Sequence, residues 1–133
     1  MDIPHNFEPL FRTSPFLDLL GPFFYRKDAE GLTIGIRVEE KHTNARGLAH
    51  GGLFMALADV ALGYNTAFSK NPPLKLVTTT LTTDFAGSAK IGDWLEASVD
   101  IQKTGSRLVF ANSYISVGEE RVVRASASFL VVS

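Results

Sequence analysis

One segment of helical length, Gly52 to Phe68, is apolar nearly all round, and the long segments after it are built as strands. This pairing constrains the fold more than any other feature. A helix carrying Leu53, Phe54, Leu57, Val60, Ala61 and Leu62 has to be buried over most of its surface. A sheet with one apolar face has to be covered as well. The economical solution is a long antiparallel sheet that wraps around a single central helix, an α+β arrangement.

The strands follow from their period. Leu32, Ile34, Ile36 and Val38 share one face, with Thr33, Arg37 and Glu39 on the other. After the helix, which Asn71-Pro72-Pro73 ends, residues 75–85 are rich in β-branched side chains. Residues 94–103 alternate, with Leu95, Ala97, Val99 and Ile101 facing inward. Gly105-Ser106 turns the chain into residues 107–117, and Gly118-Glu119 turns it again into residues 121–132. There Val123, Ala125, Ala127, Phe129 and Val131 share a face. Such short connections make the last strands antiparallel neighbours. Before all of these, Ser14-Pro15 reads as the start of a short helix and Gly21-Pro22 as its stop. Residues 1–29 form an N-terminal helical and extended segment, and residues 30–132 the core, of a single domain over residues 1–133. One helix cannot cover the whole sheet, and an uncovered sheet edge invites pairing. A homodimer joined edge to edge is the expected assembly.

The composition excludes several classes. Thirteen basic and 14 acidic residues leave a net charge of −1, so no basic stripe indicates nucleic acid. The chain has no cysteine, hence no disulfide, thiolate metal site or cysteine nucleophile. Neither a secretory signal nor a membrane-spanning stretch is visible, and the expected location is the cytoplasm.

Two anomalies carry the chemistry. Asp59 interrupts the apolar helix, flanked by Leu57, Ala58, Val60 and Ala61. Burying an ionised carboxylate costs several kcal/mol unless it is paired. A solvated seam or a set of local hydrogen bonds would explain a lone acid of this kind. The second anomaly is Asn44-Ala45-Arg46-Gly47-Leu48-Ala49-His50-Gly51-Gly52, immediately before the helix. A helix N-terminus offers unpaired N–H groups and partial positive charge. Glycines there let a carbonyl approach the backbone, so the Gly51 N–H could polarise a thioester and hold its oxyanion. Gly-Gly alone is an ordinary tight turn, and His50 alone an ordinary cap; the combination is the signal. Gly51 and Asp59 are eight residues apart, about 12 Å at roughly 1.5 Å per residue. Reacting atoms need about 3–3.5 Å, so the two cannot flank one carbonyl within one chain.

The sequence His50-Gly51-Gly52 followed by Asp59, and preceded by His42-Thr43-Asn44, resembles the hotdog-fold thioesterases of the phenylacetate-pathway (PaaI-like) type over roughly residues 30–132. The resemblance implies an acyl-CoA thioesterase. It implies that Gly51 polarises the thioester carbonyl and that Asp59 acts as nucleophile or as general base for water. Asn44 and His50 would orient the thioester and the attacking group. Some relatives carry a serine on the strand after the helix that helps position water, and Thr78 is the counterpart here. Homodimers with two composite sites, paired into homotetramers as dimers of dimers, are implied as well. The expected partner is an acyl-CoA substrate, with no cofactor, metal, nucleic acid or membrane. Lys70, Lys75, Lys90, Lys103, Arg107, Arg121 and Arg124 are candidates for the CoA nucleotide by charge alone.

Two other functions suit the same fold: a hydratase or dehydratase of acyl thioesters, and a non-catalytic acyl-CoA sensor. The asparagine–HGG–aspartate pattern favours thioester hydrolysis over the first. Retention of an acid in an apolar helix argues against the second. Pocket length depends on Phe54, Met55, Leu62, Tyr64 and Phe68, and the N-terminal phenylalanines Phe7, Phe11, Phe16, Phe23 and Phe24 are candidate lining or lid. Aromatic and medium-chain acyl groups are both compatible.

Overall fold

A computed structural model describes residues 2–132. Seven strands and two α-helices follow in the order β1 (Glu8–Pro9), α1 (Pro15–Leu20), β2 (Phe24–Asp28), β3 (Gly31–Arg37), α2 (Gly51–Ala67), β4 (Lys75–Phe85), β5 (Trp94–Thr104), β6 (Leu108–Val117) and β7 (Glu120–Val132). The strands form one antiparallel sheet in the order β1-β2-β3-β5-β6-β7-β4. α2 lies across its concave face against β3, β4, β5, β6 and β7. Leu57, Ala58, Ala61 and Leu62 of the helix are fully buried, as are Ile34, Ile36, Leu95, Ala97, Val109 and Ile115 of the sheet.

The periodicity located these elements well, with differences at the N-terminal end. β2 belongs to the sheet rather than to a separate leading segment, pairing with β3 from Phe24↔Gly35 to Asp28↔Gly31. The outer side of β3 is covered too, because Trp94 lies over Gly35 while Phe7 and Phe24 pack on the Trp94 ring at 5.1 and 5.9 Å. A Cβ at Gly35 would sit 2.3 Å from Trp94 Cζ2, so the indole can rest there only on a glycine. α1 starts where the sequence signals, with the Ser14 hydroxyl accepting the Leu17 N–H at 3.3 Å.

β4 is one edge of the sheet and is 11 residues long; the other edge, β1, has two. β4 contains a bulge: Thr78 pairs with Phe129 and Thr80 with Ser128, leaving Thr79 as the extra residue. The bulge changes which residues face the helix. Leu76 and Thr78 lie opposite the inward Val131 and Phe129, and beyond the bulge Leu81, Thr83 and Phe85 lie opposite Ala127, Ala125 and Val123. A regular strand would keep even-numbered residues inward throughout.

Candidate active site

Asp59 does not lie in the core. The residues of α2 turned away from the sheet are Gly52, Met55, Ala56, Asp59, Gly63 and Ala67, three or four apart and all at least partly exposed. The expectation of a buried carboxylate is corrected to a half-buried one on the open side of the helix. Apolar neighbours in sequence did not reveal this, because Met55 and Ala56 are apolar and yet share that open side. The Thr78 hydroxyl donates to Asp59 Oδ1 at 3.0 Å. The Thr79 bulge lets Thr78 face inward while Leu81 and Thr83 keep β4 in register with the core. Asp59 and Thr78 both line a cavity of about 540 Å³, open on one side. Much of the rest of its wall comes from the N-terminal segment (Arg12 to Ser14, Phe16, Leu17), from Tyr64 and Phe68, and from the start of β4.

At the other end of α2, His50 is the N-cap, with extended backbone, and its Nδ1 accepts the Gly52 N–H at 2.8 Å. A Cβ on Gly52 would stand 3.0 Å from that nitrogen, so the glycine lets the imidazole close over the helix end. Gly51, the first helical residue, has no acceptor for its N–H inside the helix. A Cβ there would touch the Phe85 ring at 3.4 Å. The loop before the helix is held from within. Asn44 Oδ1 accepts the Arg46 and Leu48 N–H groups at 2.9 and 3.2 Å. The Ala49 N–H donates to Ala89 O and the His50 N–H to His42 O, both at 2.8 Å.

His42 is buried; its Nδ1 accepts the Glu39 N–H at 2.9 Å, which leaves Nε2–H to donate to Leu20 O. It fastens the end of α1 to the loop. His50, Gly52 and His42 line a separate cavity of about 290 Å³ beneath Phe16 and Leu20.

The five candidates therefore fall into two groups. Asp59 and Thr78 meet directly; Asn44, His50 and Gly51 form the loop and cap at the far end of the helix. Of the basic candidates, Arg124 is paired with the exposed Asp84 at 3.0 Å, Lys90 pairs with Asp93 at 3.3 Å, and Arg121 lies over the Tyr114 ring at 3.9 Å. Sequence reasoning passed over Arg12. Its carbonyl accepts the Tyr64 hydroxyl at 3.0 Å. Burial raises the Tyr64 phenol above its ordinary range, with the Arg12 guanidinium pulling it back in part, so the hydroxyl keeps its proton to donate. Nothing local in the sequence joins residues 52 positions apart.

A sheet wrapped on one helix, with an acid in an open cavity of that helix and a glycine directly after its histidine cap, has the hotdog architecture. The chain belongs to the thioesterase superfamily, whose family description matches residues 46–128, more than half of its length. It is a hydrolase of that superfamily. It is 52% identical over 130 residues to the Pseudomonas aeruginosa protein named "Putative esterase PA0474", covering 97% of each. Among solved structures it resembles the Escherichia coli PaaI protein from the phenylacetic acid degradation operon, with a TM-score of 0.73 at 21% identity over 80% of this chain and 75% of that one. It also resembles smu.793 of Streptococcus mutans bound to acetyl CoA, with a TM-score of 0.75 at 18% identity over 100% and 94% of the chains.

Proposed function

We propose that the protein hydrolyses an acyl-CoA thioester to the free acid and CoA, at two sites each shared between the subunits of a homodimer. The observation that carries this reading is the Thr78 hydroxyl bonded to Asp59 Oδ1, 3.0 Å apart, in an open cavity. That bond fixes one carboxylate oxygen and leaves the other for chemistry. Acting as general base, Asp59 takes a proton from water as the water oxygen attacks the thioester carbon. The Gly51 N–H, with the positive end of α2 behind it, receives the oxyanion. The carbon–sulfur bond then breaks, and CoA leaves as a thiolate that takes up a proton. Acting instead as nucleophile, Asp59 would form a mixed anhydride that water opens. Asn44 and His50 keep the loop and the cap in place for Gly51. The acetyl CoA bound to the Streptococcus mutans relative supports CoA as the thiol carrier.

Edge geometry supports the shared site. Thr78 touches Asp59, and Phe85, seven residues along the same strand, borders Gly51. If β4 of two copies pair antiparallel about Thr82, the inward Leu81 and Thr83 stand opposite each other and, counting past the Thr79 bulge, Thr78 of one copy stands opposite the partner's Phe85. Asp59 is thereby drawn towards the partner's Gly51. Such pairing would also satisfy the free edge of an 11-residue strand. The exposed outer row Val77, Leu130 and Leu108, with Phe110 beside it, offers an apolar face for two dimers to join as a tetramer.

The test is free-thiol release from a panel of acyl-CoAs. Release should disappear in Asp59→Asn while acyl-CoA binding persists, and turnover equal to wild type in that variant would refute the role. Mixing Asp59→Asn with Gly51→Val subunits should restore roughly a quarter of wild-type activity, since half the dimers are mixed and each has one whole site. No restoration would refute the shared site. Single turnover in ¹⁸O-water, with the label sought on Asp59, separates nucleophile from base.

A further inference from the structure

Gly63 stands one helical turn beyond Asp59 on the same open side of α2 and lines the same cavity. A Cβ built on it meets nothing within 4 Å. Neither a positive φ nor a close approach requires glycine at this position. In a helix interior glycine costs about 1 kcal/mol relative to alanine. What the residue contributes is space beside the candidate acid.

The space has a built far end. Tyr64, Ala67 and Phe68 line it on the helix side, and the N-terminal segment lines it across from them. That segment is fastened by the Tyr64 hydroxyl on Arg12 O and by Phe11, whose ring packs against Tyr25, Tyr64 and Phe68 at 5.1, 5.8 and 5.1 Å. Leu76 and Phe129 supply the sheet side. From Asp59 to Ala67 the lane runs eight residues, about 12 Å along the helix. That is too long for an acetyl group to fill, and it suits an extended chain.

We propose that Gly63 is a specificity-determining residue, whose missing side chain keeps open a lane along α2 for a straight acyl chain of medium length. The chain's end lies against Tyr64, Phe68 and the N-terminal segment. This rests on the reading that the thioester carbonyl is held at Asp59.

The test uses Gly63→Leu and the milder Gly63→Ala, with two readouts. In thiol release, wild type should favour octanoyl-CoA over acetyl-CoA. Gly63→Leu should lower kcat/KM for octanoyl-CoA about tenfold or more and leave acetyl-CoA within about twofold, with Gly63→Ala between. In calorimetry, Gly63→Leu should weaken the non-hydrolysable thioether S-octyl-CoA about tenfold while sparing S-ethyl-CoA. Both variants should melt no lower than wild type, since each replaces a helical glycine. Equal losses for long and short chains, or no loss for either, overturn the inference. If wild type binds S-octyl-CoA tightly and Gly63→Leu does not, yet no acyl-CoA is hydrolysed, the lane stands and the assigned reaction falls. If wild type hydrolyses both chains with no preference and binds both thioethers equally, the reaction stands and the lane falls.

Discussion

Replacing Asn65 by alanine tests how the C-terminal half of α2 is held to the sheet. The Asn65 side chain is buried at 8% exposure. Its Oδ1 accepts the Leu32 N–H at 2.9 Å, and its Nδ2 donates to Leu32 O at 2.8 Å and to Ala61 O at 2.9 Å. Leu32 lies beyond the last β3–β5 pair, Ile34↔Ala97, so its inward backbone groups have no strand to meet. The amide acts as the missing strand, satisfying both groups at once. Gly31, at φ +137°, makes room: a Cβ there would lie 2.6 Å from Asn65 Oδ1. Each hydrogen bond contributes about 1 kcal/mol net, and leaving a buried partner unmade costs about 1–3 kcal/mol. The Ala61 bond matters least, because that carbonyl keeps its helical partner. Water can reach half-buried Leu32 in part. Asn65→Ala should therefore lose about 2–3 kcal/mol. Equilibrium urea unfolding at fixed protein concentration measures this, as a fall in midpoint with unchanged slope. A loss below about 1 kcal/mol would show that water replaces the amide freely and that the helix is docked by apolar contact alone.

Other perturbations have equally definite outcomes. Gly35→Ala forces the Trp94 indole off β3 and should cost about 1–3 kcal/mol, with a shift in tryptophan fluorescence; an unchanged melting temperature would contradict the close packing. Thr78→Val removes the hydroxyl on Asp59 and should lower kcat more than it raises KM, while Thr78→Ser retains most of the activity. Gly52→Ala crowds His50 Nδ1 and should slow thiol release without unfolding the protein, as judged by circular dichroism. Ser14→Ala should cost about 1 kcal/mol of stability through its lost helix cap.

The sequence by itself determined most of the elements, from β3 onward, and the candidate residues. Periodicity located β3 to β7 and the central helix but not β1 or β2, Ser14-Pro15 marked the start of α1, and the helix read from Gly52 begins one residue earlier, at Gly51. These are local properties, set by side chains a few positions apart, and so they can be read from one chain. The resemblance added Thr78, Asn44 and the roles of Gly51 and Asp59. Which side of the helix faces the core was not legible, because α2 is apolar on its open side as well. Only the tertiary structure set Asp59 in an open cavity rather than in the core, and only the Thr79 bulge shows how Thr78 reaches it while the rest of β4 keeps its register. The Tyr64–Arg12 and Asn65–Leu32 bonds likewise join residues 52 and 33 positions apart. Such pairings depend on how the chain closes on itself, and no period in the sequence encodes them.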